Sequence, residues 1–246
     1  MPDLDAAAVV TGHSRGLGAG IAAALLARGV RVLGLSRGTH DALAARHGDR
    51  LTERRLDLAD AAALGDWIAS GELNRFLEGA ERAVLVNNAG IVQPVGPLDQ
   101  QEVPDVIRAV TLNVTAPLVL SAAFTAASAG ARDRRILHIS SGASTTPIAG
   151  WSVYCASKAA LDHHARTVAL DRTPALRIAS IAPGVIDTDM QASIRDTGED
   201  RFPDRARFVA MKRQGQLRDP DDAGRAVVDF LLSDRFGRSP VADVRG

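Results

Sequence analysis

The sequence has little that would suit binding to nucleic acid or an anionic membrane. Lys and Arg number 29 and Asp and Glu also 29, so this chain of 246 residues has no net charge and no basic excess. Aromatic residues make up only 4%, which leaves few rings on which single-stranded bases could stack. Cys155 is the only cysteine. An intramolecular disulfide is therefore impossible, and we expect a cytoplasmic protein in which Cys155 packs within a helix.

Targeting and metal-binding patterns are scarce as well. The first ten residues, M-P-D-L-D-A-A-A-V-V, lack the charged region and long apolar run of a signal peptide. The uncharged run 111–131 carries polar side chains and Pro117, which favours a buried or interface helix over a membrane span. No Cys/His cluster has zinc spacing, and the adjacent His163 and His164 point in different directions on a helix. We expect no metal site.

Short apolar runs alternate with helical segments along the whole chain. Alternation of this kind predicts a doubly wound, mostly parallel sheet of about seven strands with helices on both faces, in one domain spanning residues 1–246. The predicted strands are 6–10, 30–35, 54–58, 83–86, 135–139, 176–181 and 241–244, and long helices are predicted over 61–77 and 104–129. The polar segment 187–218 has few strong helix signals, and we expect it to be a mobile lid over the site.

A glycine-rich turn, T-G-H-S-R-G-L-G, joins the first predicted strand to the first helix. Gly12, Gly16 and Gly18 let the backbone turn tightly and approach a pyrophosphate closely, and the helix N-terminus favours negative charge. The strand, turn, helix and second strand fit a βαβ unit that binds a dinucleotide. The alternative is a tight turn without a ligand.

The residues after the second strand favour NADP over NAD. A carboxylate at this place usually accepts a hydrogen bond from the ribose of NAD, but here the chain has Ser36 and Arg37. A guanidinium suits a phosphate, and Arg15 in the glycine turn adds a second positive charge. The alternative is that both arginines are simply solvated.

Tyr154 and Lys158 lie four residues apart in G-W-S-V-Y-C-A-S-K-A-A-L. On a helix this spacing puts both side chains on one face. An ammonium beside a phenol lowers the pKa of the phenol, which would then exchange a proton with a substrate oxygen. The pair alone also fits an ordinary helix surface, so the interpretation depends on the rest of the chain.

Four motifs in fixed order resemble the short-chain dehydrogenase/reductase family. They are T-G-H-S-R-G-L-G at 11–18, N-N-A-G at 87–90, Ser141 followed thirteen residues later by Y-C-A-S-K at 154–158, and P-G-V-I-D-T at 183–188. The resemblance covers nearly the whole chain and implies a Rossmann-type fold. The residues of these motifs and the short C-terminal ending look most like the branch of sepiapterin reductases and benzil reductases.

The resemblance implies a role for each matching residue. The catalytic tetrad would be Asn113, Ser141, Tyr154 and Lys158. Tyr154 would be the general acid in reduction, Ser141 would hydrogen-bond the substrate oxygen, and Lys158 would lower the pKa of Tyr154 and bind the nicotinamide ribose. Asn113 would hold a water in the proton relay. The cofactor would contact Gly12, Ser14, Arg15, Gly16, Leu17, Gly18, Ser36, Arg37, Asp57, Leu58, Asn88, Ala89, Gly90, Tyr154, Lys158, Pro183, Gly184, Ile186 and Thr188.

The resemblance therefore implies an NADPH-dependent reductase of ketones or diketones. Ser141, Tyr154, Trp151 and Met190 would contact the substrate, although Trp151 and Met190 could equally be packing residues. The alternatives are an NAD(P)-dependent alcohol, sugar or acyl-thioester oxidoreductase and, with less support, a non-catalytic dinucleotide-binding module. The Ala-rich helices around 110–129 and 157–170 would pair two subunits, so we expect at least a homodimer. A tetramer is also compatible with this pattern.

Overall fold

A computed structural model describes residues 5–243 of the chain. The strands are β1 Ala6–Thr11, β2 Arg31–Ser36, β3 Leu51–Arg55, β4 Arg82–Asn87, β5 Asp133–Ile139, β6 Leu176–Ala182 and β7 Val241–Asp243. The α-helices are α1 Gly16–Leu26, α2 Asp41–His47, α3 Ala61–Ala69, α4 Glu72–Leu77, α5 Val103–Val110, α6 Ala116–Ala127, α7 Ser152–Leu170, α8 Asp189–Asp196, α9 Arg205–Arg213 and α10 Pro220–Leu232. A π-helical turn, Thr111–Thr115, joins α5 to α6.

The strands form one parallel sheet in the order β3-β2-β1-β4-β5-β6-β7. The chain winds outward from β1 to β3, crosses back to β4 on the other side of β1, and then winds outward to β7. Ligands of such sheets bind at the carboxyl ends of the strands, beside this reversal. The predicted fold class, a Rossmann-type doubly wound sheet, is confirmed.

Helices cover both faces of the sheet and bury alternate residues of its central strands. Ala6, Ala8 and Val10 of β1 face α1 and α10, whereas Ala7 and Val9 belong to the core beneath α3, α4, α6 and α7. The α1–α10 contact is very close, because a Cβ on Gly20 would lie 2.3 Å from the carbonyl oxygen of Pro220. Asp219, the predicted N-cap of α10, accepts hydrogen bonds from the backbone N–H groups of Asp221 and Asp222.

The third strand begins and ends three residues before the range predicted from the sequence. The prediction of 54–58 was wrong because it followed the apolar pattern of R-R-L-D-L. The parallel register pairs Leu51 with Val32 and Arg55 with Ser36, where β2 ends. Leu56 then donates one more backbone hydrogen bond to Ser36. The partner strand therefore limits the length of β3.

Two long helices predicted from the sequence are interrupted, and the polar segment is more helical than predicted. The helix expected over 61–77 is broken by Gly71, whose φ of 72° is left-handed. The helix expected over 104–129 contains the π-helical turn at 111–115. The segment 187–218 contains α8 and α9, in spite of its few helix signals. Of the last predicted strand, 241–244, Val244 lies outside the described residues.

Within residues 5–243, one helical run is long and apolar enough, by length and composition only, to cross a membrane. It is Val103–Ala127, which includes the π-helical turn. Its inner residues Ala116, Leu120 and Phe124 are buried in the core beneath the sheet. A core helix passes the same length and composition test, so this run is weak evidence for a membrane span.

Candidate active site

The glycine turn brings β1, α1 and the loop after β4 into contact. Gly12 and Gly16 have φ values of 69° and 55°, in the left-handed region that glycine adopts without strain. A Cβ on Gly18 would lie 2.0 Å from the carbonyl oxygen of Gly12, so only glycine fits there. The turn leads directly into α1, whose first backbone N–H groups have no partner within the helix, and such groups suit an anionic pyrophosphate.

The N-N-A-G segment is fastened to the same turn by Thr11. The Thr11 hydroxyl accepts hydrogen bonds from the backbone N–H groups of Asn88 and Ala89, both at 2.9 Å. The Asn88 amide donates to the carbonyl oxygen of Thr11 at 2.9 Å, and a Cβ on Gly12 would lie 3.1 Å from the Cα of Ala89. The predicted cofactor residues of the two segments therefore form one continuous surface.

The loop after β2 lies beside the glycine turn and presents Arg37 to solvent. Ser36 is buried, and its hydroxyl donates to the carbonyl oxygen of Gly38 at 2.7 Å. A Cβ on Gly38 would lie 3.7 Å from the Ser14 hydroxyl oxygen. Arg37 is exposed and makes no hydrogen bond or ion pair within residues 5–243. Its guanidinium is therefore available to a phosphate.

Asp57 follows β3 and is surrounded by positive charge. Burial alone would raise the pKa of Asp57, but the Ala59 N–H, Arg108 and the charge of Arg37 together lower it. Arg108 donates to the Asp57 carboxylate at 3.0 Å, and the neighbouring Leu58 is buried. Arg108 was not among the residues predicted for this site, because nothing near it in the sequence marks α5 as a neighbour of Asp57.

The segment after β6 closes over the glycine turn. Pro183 is buried, Gly184 has a φ of 89°, and Ile186 is buried against the main core. A Cβ on Gly16 would lie 3.1 Å from the methyl carbon of Thr188. This contact brings the fourth sequence motif next to the first.

Arg15 makes an ion pair with the first residue of α8. Its guanidinium donates to the Asp189 carboxylate at 2.8 Å, and both side chains are largely exposed, at 69% and 75%. An exposed pair of this kind contributes little to stability. Arg15 is therefore less free for a phosphate than Arg37, and binding a phosphate there would compete with Asp189.

Asn113 occupies the π-helical turn and is almost completely buried, at 1% exposure. Its amide oxygen accepts from the Ile91 N–H at 2.9 Å, and its amide nitrogen donates to the Ile91 carbonyl oxygen at 2.8 Å. A Cβ on Gly90 would lie 3.1 Å from the Asn113 amide oxygen and 3.7 Å from the Lys158 ammonium nitrogen. The widened turn directs Asn113 toward Gly90 and Lys158.

The other three predicted catalytic residues meet at the carboxyl end of β5. Lys158 donates from its ammonium to the carbonyl oxygen of Ile139 at 2.8 Å, and its nitrogen lies 5.5 Å from the centre of the Tyr154 ring. Ser141 accepts from the Ala143 N–H at 3.2 Å. The structure thus brings Asn113, Ser141, Tyr154 and Lys158 together at one edge of the sheet.

The expectation that Lys158 lowers the pKa of Tyr154 is not met in this structure. Burial raises the pKa of Tyr154 to about 12, and the nearby Ser141 hydroxyl opposes this only in part. Burial also lowers the pKa of Lys158 to about 8. The sequence argument considered only the charge one helical turn away, whereas both groups lie in a poorly solvated interior.

Trp151 is packed between aromatic side chains of the segment 187–218. Its ring stacks on Phe202, with centroids 5.0 Å apart and planes 3° apart, and meets Tyr154 edge-on at 5.3 Å. Phe208 completes this aromatic cluster, and Met190 packs against it. One face of Trp151 is therefore covered by the chain's own Phe202, which favours the packing role for Trp151.

Comparisons with known proteins agree with this architecture. The family model described as short chain dehydrogenase matches residues 6–199. The chain is 32% identical over 240 residues to a benzil reductase of Bacillus cereus that forms (S)-benzoin, covering 95% of this chain and 96% of that protein. It is 32% identical over 246 residues to the sepiapterin reductase of Meriones unguiculatus, covering 94% and 93%.

A solved structure from Burkholderia vietnamiensis, a short-chain dehydrogenase/reductase, is 49% identical, with a TM-score of 0.73 and 98% of both chains covered. The predicted resemblance to the sepiapterin and benzil reductase branch is therefore confirmed. The chain is an enzyme that binds NAD(P) and acts on CH–OH or C=O groups, and it belongs to the short-chain dehydrogenase family.

Proposed function

We propose that this chain is an NADPH-dependent carbonyl reductase that reduces a ketone or one carbonyl of a diketone. The observation that carries the proposal is the meeting of Tyr154, Ser141, Lys158 and Asn113 at the sheet edge where the glycine turn also lies. The relatives named benzil reductase and sepiapterin reductase agree with a carbonyl substrate.

The residues of the glycine turn fit a dinucleotide. The three glycines leave no side chain between the backbone and a pyrophosphate, and the start of α1 offers N–H groups to it. Ser14 and Arg37 lie where the loop after β2 approaches this turn, which suits the 2′-phosphate of NADP. When bound, the nicotinamide cofactor supplies the hydride.

Tyr154 provides the proton in the reductive direction. Because burial raises the pKa of its phenol to about 12, the hydroxyl stays protonated at neutral pH and can donate to the carbonyl oxygen of the substrate. Ser141 is the second hydrogen-bond donor to that oxygen, where negative charge grows as the carbonyl is reduced. The ammonium group of Lys158 donates a hydrogen bond to the Ile139 carbonyl oxygen, which holds it in place, and it carries the positive charge of the site.

The proposal is tested by NADPH oxidation with a panel of ketones and diketones, including benzil. We expect Tyr154→Phe to lower kcat by about 100- to 10,000-fold, the usual contribution of a general acid, while NADPH affinity is retained. Cys155→Ala, at the neighbouring half-buried position, serves as the control and should keep wild-type turnover. Unchanged turnover in Tyr154→Phe would contradict the assigned mechanism.

The NADPH preference is tested separately at Arg37. Arg37→Ala should lower kcat/KM for NADPH about tenfold or more, the value of a charged hydrogen bond, and leave kcat/KM for NADH nearly constant. Arg28→Ala is a suitable control, because Arg28 pairs with Asp229 away from the glycine turn. An NADPH preference that survives Arg37→Ala would contradict the cofactor assignment.

The same proposal includes a homodimer formed through α5, α6 and α7. Large apolar side chains are exposed on these helices, with Ile107 at 62%, Val119 at 39% and Leu170 at 79%. Pairing of two copies would bury them. Size-exclusion chromatography with light scattering measures the mass directly, and a monomer at micromolar concentration would contradict the dimer.

A further inference from the structure

His13 is the unusual residue of the glycine turn, because its side chain is completely buried. The imidazole crosses over Gly34 of β2, and a Cβ on Gly34 would lie 2.3 Å from the ring carbon Cγ of His13. Only a glycine at this position of β2 leaves room for the ring. The His13 ring therefore extends from the turn after β1, across β2, toward β3.

The ring ends at Glu53 of β3, the residue that the sheet register places opposite Gly34. The Nε2 atom of His13 lies 2.8 Å from Oε1 of Glu53, whose side chain is 13% exposed. Burial lowers the pKa of His13 despite the opposing effect of Glu53, so at neutral pH the neutral ring donates its Nε2–H to the carboxylate.

The same carboxylate oxygen also holds the loop that carries Arg37. Oε1 of Glu53 accepts a hydrogen bond from the backbone N–H of His40 at 2.6 Å. His40 in turn caps α2, because its Nδ1 accepts from the Leu43 N–H at 3.3 Å. Only Arg37, Gly38 and Thr39 separate the buried Ser36 from this anchored position.

We propose that Glu53 is a positioning residue for cofactor selectivity: by holding His13 and the His40 N–H on one carboxylate oxygen, it sets the Arg37 loop against the glycine turn. The inference rests on the proposed NADPH preference. It goes beyond that preference, because Glu53 would act through the position of the Arg37 loop and not through a contact of its own with the cofactor. Its effect reaches the cofactor through Arg37, whose loop approaches Ser14 at Gly38.

A direct electrostatic role of Glu53 would have the opposite consequence. A carboxylate near a 2′-phosphate repels it, so removing the charge would then strengthen NADPH binding. In the positioning role, the oxygen atom matters and the charge does not. Glutamine keeps that oxygen, with two lone pairs for two donors, whereas alanine removes it.

The experiment compares kcat/KM for NADPH and NADH, at a fixed saturating diketone, in wild type, Glu53→Ala, Glu53→Gln, Arg37→Ala and the double variant Arg37→Ala/Glu53→Ala. We expect Glu53→Ala to lower the ratio of kcat/KM for NADPH to kcat/KM for NADH about tenfold, with kcat unchanged. Tenfold is the contribution of the one charged hydrogen bond that Arg37 would make to the 2′-phosphate. Glu53→Gln should restore most of the ratio. In the Arg37→Ala background, Glu53→Ala should change the ratio by less than about twofold, since both act on one contact.

Glu72→Ala is the control for a loss of stability without a change in the loop. Glu72 accepts from Arg54 of β3 and from Trp67, so its loss weakens the same edge of the fold. Thermal melting of every variant accompanies the kinetics. An equal loss for both cofactors in Glu53→Ala, as in Glu72→Ala, would reduce Glu53 to a stability role and overturn the inference.

Two other results with the Glu53 variants overturn it as well. A higher NADPH/NADH ratio in both Glu53 variants would assign the effect to charge repulsion. A normal ratio in Glu53→Ala, with a reduced ratio in Arg37→Ala, would refute the positioning role while leaving the NADPH proposal intact. If Arg37→Ala itself leaves the ratio unchanged, the NADPH assignment fails, and the inference fails with it.

Discussion

Tyr154 is the only tyrosine in the chain, so the near-ultraviolet absorbance of the phenolate reports on one catalytic candidate without labelling or mutation. The perturbation is a rise in pH. Burial raises the pKa of this phenol from 10.0 to about 12. We expect the folded protein to develop no phenolate absorbance near pH 10, where an exposed tyrosine is half ionised.

The magnitude follows from the burial of the ring. A shift of two pKa units corresponds to about 3 kcal/mol favouring the neutral phenol, at about 1.4 kcal/mol per unit. The raised pKa stabilises the folded state fully below pH 10, and this stabilisation is lost as the pH rises from 10 through 12. Alkaline unfolding is therefore promoted by the same residue that is being titrated.

The assay must separate native ionisation from unfolding. In a rapid pH jump, absorbance read immediately after mixing reports the folded state, and the slower change reports Tyr154 released by unfolding. Protein in denaturant should titrate near the ordinary value of about 10, and Tyr154→Phe should show no phenolate signal. A native midpoint at or below pH 10 would refute the reasoning, because it would mean that burial does not set the pKa of Tyr154 in the free protein.

Three substitutions test the packing of the fold that carries the site. Asp133→Asn should lower the free energy of unfolding, measured in urea, by about 3 kcal/mol or more. Burial raises the pKa of Asp133, but three arginines hold it well below its usual range. The advantage of the wild type is therefore present above about pH 4 and should disappear as the pH falls below it. Gly20→Ala should cost about 1–3 kcal/mol and lower Tm, since its methyl group would meet Pro220; an unchanged Tm would contradict the close helix contact. Phe202→Ala should uncover Trp151 and speed proteolysis of residues 197–204, with NADPH affinity retained; an unchanged cleavage rate would show that this ring does not hold the segment.

The glycine turn and the parallel, doubly wound fold class follow from short-range patterns, whereas the tetrad was implied by the family resemblance. A strand that ends in a glycine turn and continues as a helix requires particular residue types at particular positions, such as Gly12 and Gly18. Parallel strands bring their carboxyl ends to one edge, so motifs after β1, β4, β5 and β6 meet there although they are far apart in sequence. The family resemblance assigned Asn88, Ser141 and Thr188 to one site, and the parallel sheet is the physical reason why residues so far apart in sequence can share it.

Contacts between strands follow a different rule, and the sequence did not predict them. Glu53 is one carboxylate in a charged stretch, T-E-R-R, and nothing nearby marks it as a partner of the glycine turn. Its contact depends on the register that sets Glu53 opposite Gly34, and the predicted strand 54–58 excluded it. The same error hid His13, whose burial requires both Gly34 and Glu53.

The pKa of Tyr154 depends on residues even more distant in the chain. Trp151 packs edge-on against the phenol, and Phe202 stacks on Trp151. Phe202 comes from a segment that the sequence indicated only as polar and mobile. A helix that places an ammonium four residues from a phenol fixes one attractive charge, but the solvent around both groups is determined by what covers them. The same Tyr/Lys spacing on an exposed helix would give a phenol with a lower pKa. In this fold, burial beside the aromatic cluster raises the pKa of the phenol to about 12, which widens the pH range over which the proposed proton donor stays protonated.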